Sequence, residues 1–173
     1  SALFRMIRGI MSERAEKMDK GKHPTFEDYN ARHTDNPESL FPAIVFVIDN
    51  FAEFKENFEN TLPELLSMVR DGRSLGVYFI ITAGQYSDVP SKLMNLMGVR
   101  ATFTLPDASS YMDIVGRGFL PLPDVRGRGL INHKGQPLEF HIATPVVAAE
   151  GDPFMRIAER MERARVALRL KKP

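Results

Sequence analysis

The chain contains no cysteine. Without thiols there is no disulfide framework and no thiolate metal site, and such a composition fits a cytosolic domain. No apolar run approaches the ~20 residues that a membrane-spanning helix requires, and no secretory leader is visible. Charge of one sign is missing too. Basic residues number 23 and acidic residues 22, a formal net charge of +1, so no global field draws nucleic acid to the chain. The histidines His23, His33, His133 and His141 are scattered, with no pair at metal-ligand spacing. Also absent is any G-x-x-x-x-G-K-[ST] stretch, the loop whose backbone N–H groups and lysine cradle phosphates. What is present is a globular composition, 43% hydrophobic and 26% charged over 173 residues, the size of one ordinary domain.

Ala43-Ile44-Val45-Phe46-Val47-Ile48 is the most informative stretch, because it runs without polar alternation into Asp49 and Asn50. Such a run reads as a strand buried on both faces of a parallel α/β sheet. Ligands bind at the carboxyl ends of strands in these sheets, which is where Asp49 falls. An acid there is what a Walker B strand supplies to the Mg²⁺ of a nucleotide site.

Around this strand the pattern alternates. Leu3, Ile7, Ile10, Met11, Arg14 and Met18 lie at helical spacing, and Gly21 and Pro24 end that helix. Residues 25–42 read as loop with one short helical turn at Thr25 to Asn30. Thr61, Pro63 and Glu64 open a helix reaching about Ser74, with Leu62, Leu65, Leu66 and Val69 on one face. Val77 to Thr82 is a second buried strand, Ala83 to Ser87 a loop at its carboxyl end, and Pro90 to Met97 a short helix. Arg100 to Leu105 reads as a third, less apolar strand nearer an edge. Ala108 to Val115 gives a helical turn or two, followed by a Gly/Pro-rich loop over 116–129. Leu130 to Asn132 and Leu138 to Ala143 flank a turn at 133–136 and read as a β-hairpin. Asp152 to Leu170 is amphipathic (Phe154, Ile157, Met161, Ala164, Leu168), with Lys171 and Lys172 suited to its C-terminal end. That helix is expected to dock on the sheet or to link to a following module. Helices alternating with apolar strands make this an α/β fold with a mostly parallel sheet.

The motifs, taken in order, resemble the FtsK/SpoIIIE family of P-loop motor domains, and most of all the tandem ATPase modules of type VII secretion, the EccC/EssC-like proteins. Ser12-Glu13-Arg14 with Tyr29-Asn30 resembles the stretch "ERY…YN" before the Walker B strand. Ile44 to Phe54 resembles "VVVIDEFADL", and Arg70 to Val77 resembles "R-x-GRAxGIH". Phe79 to Gln85 resembles "LILATQ", with Gly84 lacking a counterpart. Asp107 to Gly116 and Arg126-Gly127-Arg128-Gly129-Leu130 resemble the "D-x-SDY…G…PPGRGL" run of the secretion branch, and Leu138 to Pro145 its "EVQVAxP" ending. The match spans about 13–145.

The resemblance implies a RecA-like P-loop core in which 1–173 forms a single partial domain from the Walker B strand to a C-terminal helix, without its phosphate loop. It implies a motor-domain module of a type VII-like secretion ATPase at the cytoplasmic face of the cell membrane. ATP and Mg²⁺ are expected in an intact parent and neither in this chain. Adjacent ATPase modules and a secreted protein with a helical signal are the implied partners, with nucleic acid ranking below them. Asp49 becomes the water-mediated Mg²⁺ ligand. Asn50 stands where the family carries a glutamate; an amide can orient water but cannot accept its proton. Gln85 sits where related motors place a γ-phosphate sensor, against the alternative of a solvated loop amide. Arg73 and Arg70 lie at a helix end, where a cation is favoured by the dipole alone, or where an arginine finger would reach a neighbouring subunit. Arg117, Arg126 and Arg128 mark either an anion-contacting loop or a solvated connection. Two other readings stay open: a DNA-pumping motor of the same superfamily, and a degenerate domain kept for protein binding. Whether this chain is itself an enzyme is left undecided by its residues. For the 173 residues alone the expected outcome is ATP turnover below ~0.1 s⁻¹, far under typical enzyme values; a faster phosphate-release rate would contradict it.

Overall fold

The structure is a computed structural model describing residues 2–120, 122–143 and 152–168, apart from the side chains of Glu59 and Pro153. Lys171, Lys172 and the Thr144–Pro145 end of the last family-like stretch lie outside the described residues. The chain divides into two compact units, Ser1–Arg100 and Ala101–Pro173.

The first unit is built around two parallel strands. Helix α1 (Ala2–Lys20) buries Phe4, Ile7, Met11, Arg14 and Met18, a spacing of three and four residues that lays one stripe on the core. Leu3, expected on that stripe, is exposed. Phe4 takes the place, and its ring packs 5.9 Å from Phe46 and 6.0 Å from Phe54, centroid to centroid. Thr25 caps α2 (Phe26–Arg32) through a bond from the Asp28 N–H at 3.2 Å. This helix is longer than the single turn expected from the sequence. Strand β1 (Ile44–Ile48) is followed by α3 (Phe51–Asn57) and α4 (Leu62–Gly72), which return the chain to β2 (Val77–Ile81). The strands pair in parallel from Ile44↔Val77 to Ile48↔Ile81. Phe4, Ile7, Met11, Ile48, Phe51, Leu65, Met68, Val77 and Leu93, the last from α5 (Ser91–Met94), form the core.

The expectation that β1 is buried on both faces is corrected here. Pleating sends Ile44, Phe46 and Ile48 toward the helices, while Val45 and Val47 are 54% and 58% exposed, as is Ile80 of β2 at 53%. Among the described residues nothing covers that outer face.

The second unit holds β3 (Ala101–Thr102), α6 (Ala108–Val115), β4 (Arg128–His133), β5 (Gln136–His141) and α7 (Pro153–Ala167). Its sheet has the order β3-β4-β5 and is antiparallel throughout. The third strand expected over Arg100 to Leu105 is realised as these two residues, paired with Leu130 and Ile131 rather than with β2. The hairpin turns through Lys134 and Gly135, both at positive φ (52° and 83°), which matches the right-handed twist of the flanking strands. Helix α7 buries none of its described side chains. Phe154, Met161 and Leu168 are 80%, 68% and 68% exposed, so among the described residues of this unit the helix lays no apolar stripe on the β3-β4-β5 sheet, and the alternative of a link to a following module stays open.

Arg14 ties the first unit together. It is 4% exposed, donates to the Leu75 and Gly76 carbonyls at 2.7 and 3.4 Å and to the Pro42 carbonyl at 2.7 Å, and sits 5.2 Å from the Phe41 ring centroid. Burial pushes the pKa of its guanidinium below the ordinary arginine value, yet arginine stays charged at neutral pH. Arg14→Met should cost about 2–3 kcal/mol in urea unfolding, since buried carbonyls lose a charged donor; a loss under ~0.5 kcal/mol would contradict this role.

Candidate functional site

Because β1 and β2 run level and parallel, their carboxyl ends lie side by side. The residue after each strand is polar: Asp49 after β1, Thr82 after β2. The Thr82 hydroxyl donates to Asp49 Oδ1 at 2.5 Å and accepts the Asn50 N–H at 2.9 Å. Backbone bonds from Thr82 N–H to Ile48 O (3.0 Å) and from Phe51 N–H to Thr82 O (2.8 Å) continue the ladder past the strand ends. Asn50 precedes α3 in a left-handed conformation, φ 59° and ψ 77°, which asparagine tolerates better than most residues. Its amide donates to Glu53 Oε2 at 3.2 Å. Asp49 and Glu53 line one cavity of about 330 Å³ whose apolar wall includes Phe4, Phe46, Phe54 and Phe58.

Among the described residues no group of three or more His, Cys, Asp or Glu side chains could hold a metal ion. Mg²⁺ carried on phosphates takes one or two carboxylates and keeps its waters. Asp49 and Glu53 are the carboxylates that line the cavity at this end of the sheet; no phosphate-cradle motif is among these 173 residues.

The other expected site residues are placed as follows. Gln85 lies three residues beyond Thr82, in the loop at the same end of the sheet. Its side chain accepts the Asp88 N–H, and its own N–H donates to Asp88 Oδ2 at 2.9 Å. Arg73 is exposed and precedes β2. Five strand residues separate it from the Asp49 end, roughly 16 Å at ~3.3 Å per residue. Arg70 is bound to its neighbour, Nε to Asp71 Oδ1 at 2.9 Å. Arg128 pairs with Glu139 across β4 and β5 at 2.7 Å. The structure therefore brings Asp49 and Asn50 together and leaves Arg73 apart from them. Sequence reading passed over Thr82 and Glu53. Thr82 could have been found as the polar residue that register sets beside Asp49.

In the second unit the family-like residues have structural work. Asp107 caps α6, accepting from the Ser110 N–H at 2.8 Å and from the hydroxyls of Ser109 and Ser110 at 2.5 and 2.7 Å. The Tyr111 hydroxyl accepts the Leu105 N–H at 2.6 Å. Gly129 leaves no room for a side chain: a Cβ there would meet the Phe140 ring and lie 2.5 Å from the Thr102 carbonyl.

No protein-family model matches the chain. It is 28% identical over 160 residues to the ESX secretion system protein EccC of Geobacillus thermodenitrificans, covering 92% of this chain and 10% of that protein. It is 31% identical over 153 residues to the type VII secretion system protein EssC of Staphylococcus aureus strain MRSA252, covering 87% and 10%. The solved structure of EssC (ATPases 2 and 3) from Geobacillus thermodenitrificans superposes with a TM-score of 0.84 at 28% identity, over 99% of this chain and 32% of that one. The chain is part of an EccC/EssC-like ATPase module. It spans about a tenth of the curated relatives' length. The pCW3 conjugation coupling protein TcpA shares the fold alone, at 16% identity and a TM-score of 0.69. The EccC/EssC likeness bears out the RecA-like P-loop α/β core read from the order of the motifs.

The three bonds from Ser109 and Ser110 hold the Asp107 carboxyl down from 3.8 to about 2. A depressed pKa means that the cap contributes fully above about pH 4 and is lost as pH falls through about 2. Carboxyl-carbon NMR should place the Asp107 midpoint near pH 2; a midpoint near 3.8 would contradict the cap.

Proposed function

We propose that the tips of β1 and β2 form the metal-facing wall of an ATP site in a type VII-like secretion ATPase. The observation that carries this is Asp49, held at the carboxyl end of a parallel strand and bonded to the neighbouring tip. Asp49 would hold Mg²⁺ through water while the nucleotide phosphates supply the other oxygen ligands. When bound, the cation would neutralise charge developing on the transferred phosphoryl group. The phosphate loop must come from sequence other than these 173 residues, in the same polypeptide or a neighbouring module.

Asn50 can donate to an attacking water but cannot take its proton. Loss of a general base typically costs ~10²–10⁴-fold, so turnover at this module is slow. Gln85, at the same end of the sheet, is the polar group nearest in sequence that could sense a phosphate, once its amide NH₂ turns toward the site. Arg73, at the far end, could reach a phosphate only in a neighbouring module. Adjacent ATPase modules are therefore the first partners we infer. A secreted protein with a helical signal is the inferred cargo, and the cytoplasmic face of the membrane the inferred location. No helix among the described residues is long and apolar enough to cross a membrane.

A second reading, a nucleotide-binding module that does not hydrolyse, is favoured by Asn50 and by its amide being engaged with Glu53. Calorimetric titration of the full-length protein with Mg·ATP, beside phosphate-release rates, separates the two. Binding below 1 mM with slow turnover that falls about tenfold or more in Asp49→Asn supports the first reading. Binding with no turnover supports the second. Binding and turnover unchanged in Asp49→Asn would overturn the metal-facing role of Asp49. Turnover accelerated by duplex DNA would favour a DNA-pumping motor instead.

A further inference from the structure

We propose that Thr82 is the positioning residue for the Asp49 carboxylate. One residue meets four consecutive residues of the β1–α3 connection. Its N–H donates to the Ile48 carbonyl, its hydroxyl donates to Asp49 Oδ1 and accepts from the Asn50 N–H, and its carbonyl accepts from the Phe51 N–H. The two backbone bonds would survive any side chain at position 82. The two hydroxyl bonds would not, and they are the ones that set the carboxylate. A hydroxyl can donate once while accepting, and here both capacities are used on adjacent residues.

The geometry has a chemical consequence. With Oδ1 engaged by the hydroxyl, Oδ2 carries no hydrogen bond among the described residues, and it is the oxygen left to accept from a metal-bound water. A β-branched side chain is stiff about χ1, so the hydroxyl arrives at Asp49 without selection among many rotamers. The Asn50 N–H bond to the same oxygen then fixes the left-handed turn that starts α3. Thr82 thereby sets the direction of the acid and the start of the following helix together. Gln85, at the same end of the sheet, takes no part in this positioning, because its side chain accepts the Asp88 N–H.

The proposal rests on Asp49 facing Mg²⁺, and its test separates the two ideas. Thr82→Val keeps the shape and removes both hydroxyl bonds; Thr82→Ser restores them. In the 173-residue chain, amide exchange at Asn50 should quicken about tenfold in Thr82→Val and return to wild type in Thr82→Ser, because a single hydrogen bond is worth about that factor. In the full-length protein, the Mg²⁺ concentration giving half-maximal ATP binding should rise about tenfold in Thr82→Val and stay within about threefold of wild type in Thr82→Ser. Unchanged exchange at Asn50 overturns the proposal. So does an unchanged Mg²⁺ requirement in Thr82→Val where Asp49→Asn raises it. If Asp49→Asn itself leaves the Mg²⁺ requirement unaltered, the metal-facing reading fails and takes this proposal with it, whatever the exchange rates show.

Discussion

A single buried guanidinium levels the two strands on which the candidate site depends. Arg14 reaches from α1 to the carbonyl of Pro42, just before β1, and to the carbonyls of Leu75 and Gly76, just before β2. Holding both amino ends at one height helps set the register, Ile44 against Val77. Side chains alternate with a period of two, so a slip of one residue would invert the faces of a strand. It would turn Phe46 and Ile48 outward and move Asp49 off Thr82. Charge-assisted bonds from a planar, multi-donor guanidinium suit this task because one side chain satisfies several carbonyl acceptors in a fixed geometry.

Level carboxyl ends then decide the chemistry. Asp49 and Thr82 meet because each is the first residue past a strand of the same length. The turn that follows is held by Asn50, which adopts the left-handed region and leans on Glu53. The same parallel arrangement sends Arg73 to the opposite end. An arginine there stands a full strand length from Asp49. The polarity of the sheet thus puts the two candidate groups, Asp49 and Arg73, at opposite ends of it.

The second unit shows how family-like residues can serve structure. Asp107, Ser110 and Tyr111 act as a cap and a loop tether. At Gly129 the Phe140 ring and the Thr102 carbonyl on the neighbouring strands leave no room for a Cβ. Arg128 is neutralised by Glu139, which lowers the weight of an anion-contacting loop built on it. In the first unit, Arg14 joins Tyr29 and Asn30 in the same category. Tyr29 stacks between His33 and Phe41, each centroid 4.1 Å away, and the Asn30 side chain bonds both backbone groups of Phe41.

Much of this was legible in the residues. Helical spacing marked α1 and α4, an unbroken apolar run marked β1, and Lys134-Gly135 marked the hairpin turn, because each signal is local and follows from backbone geometry. The position of Asp49 at a strand tip was legible for the same reason. Three things were not. The outer face of β1 carries Val45 and Val47 and the inner face Ile44, Phe46 and Ile48, all apolar, so composition could not tell a covered face from an open one; packing decides that. Residues 100–105 look like a strand, but which sheet they join depends on a partner nearly thirty positions away, Leu130 and Ile131. Thr82 looked like the end of an apolar run, and its bond to Asp49 exists only because two segments 33 residues apart are aligned. The sequence by itself determined the longer helices, the apolar strands and the acid at the tip of β1, since each is written in consecutive residues. Tertiary structure alone decided what holds that acid, because a hydrogen bond between distant segments is set by register and not by neighbours in the chain.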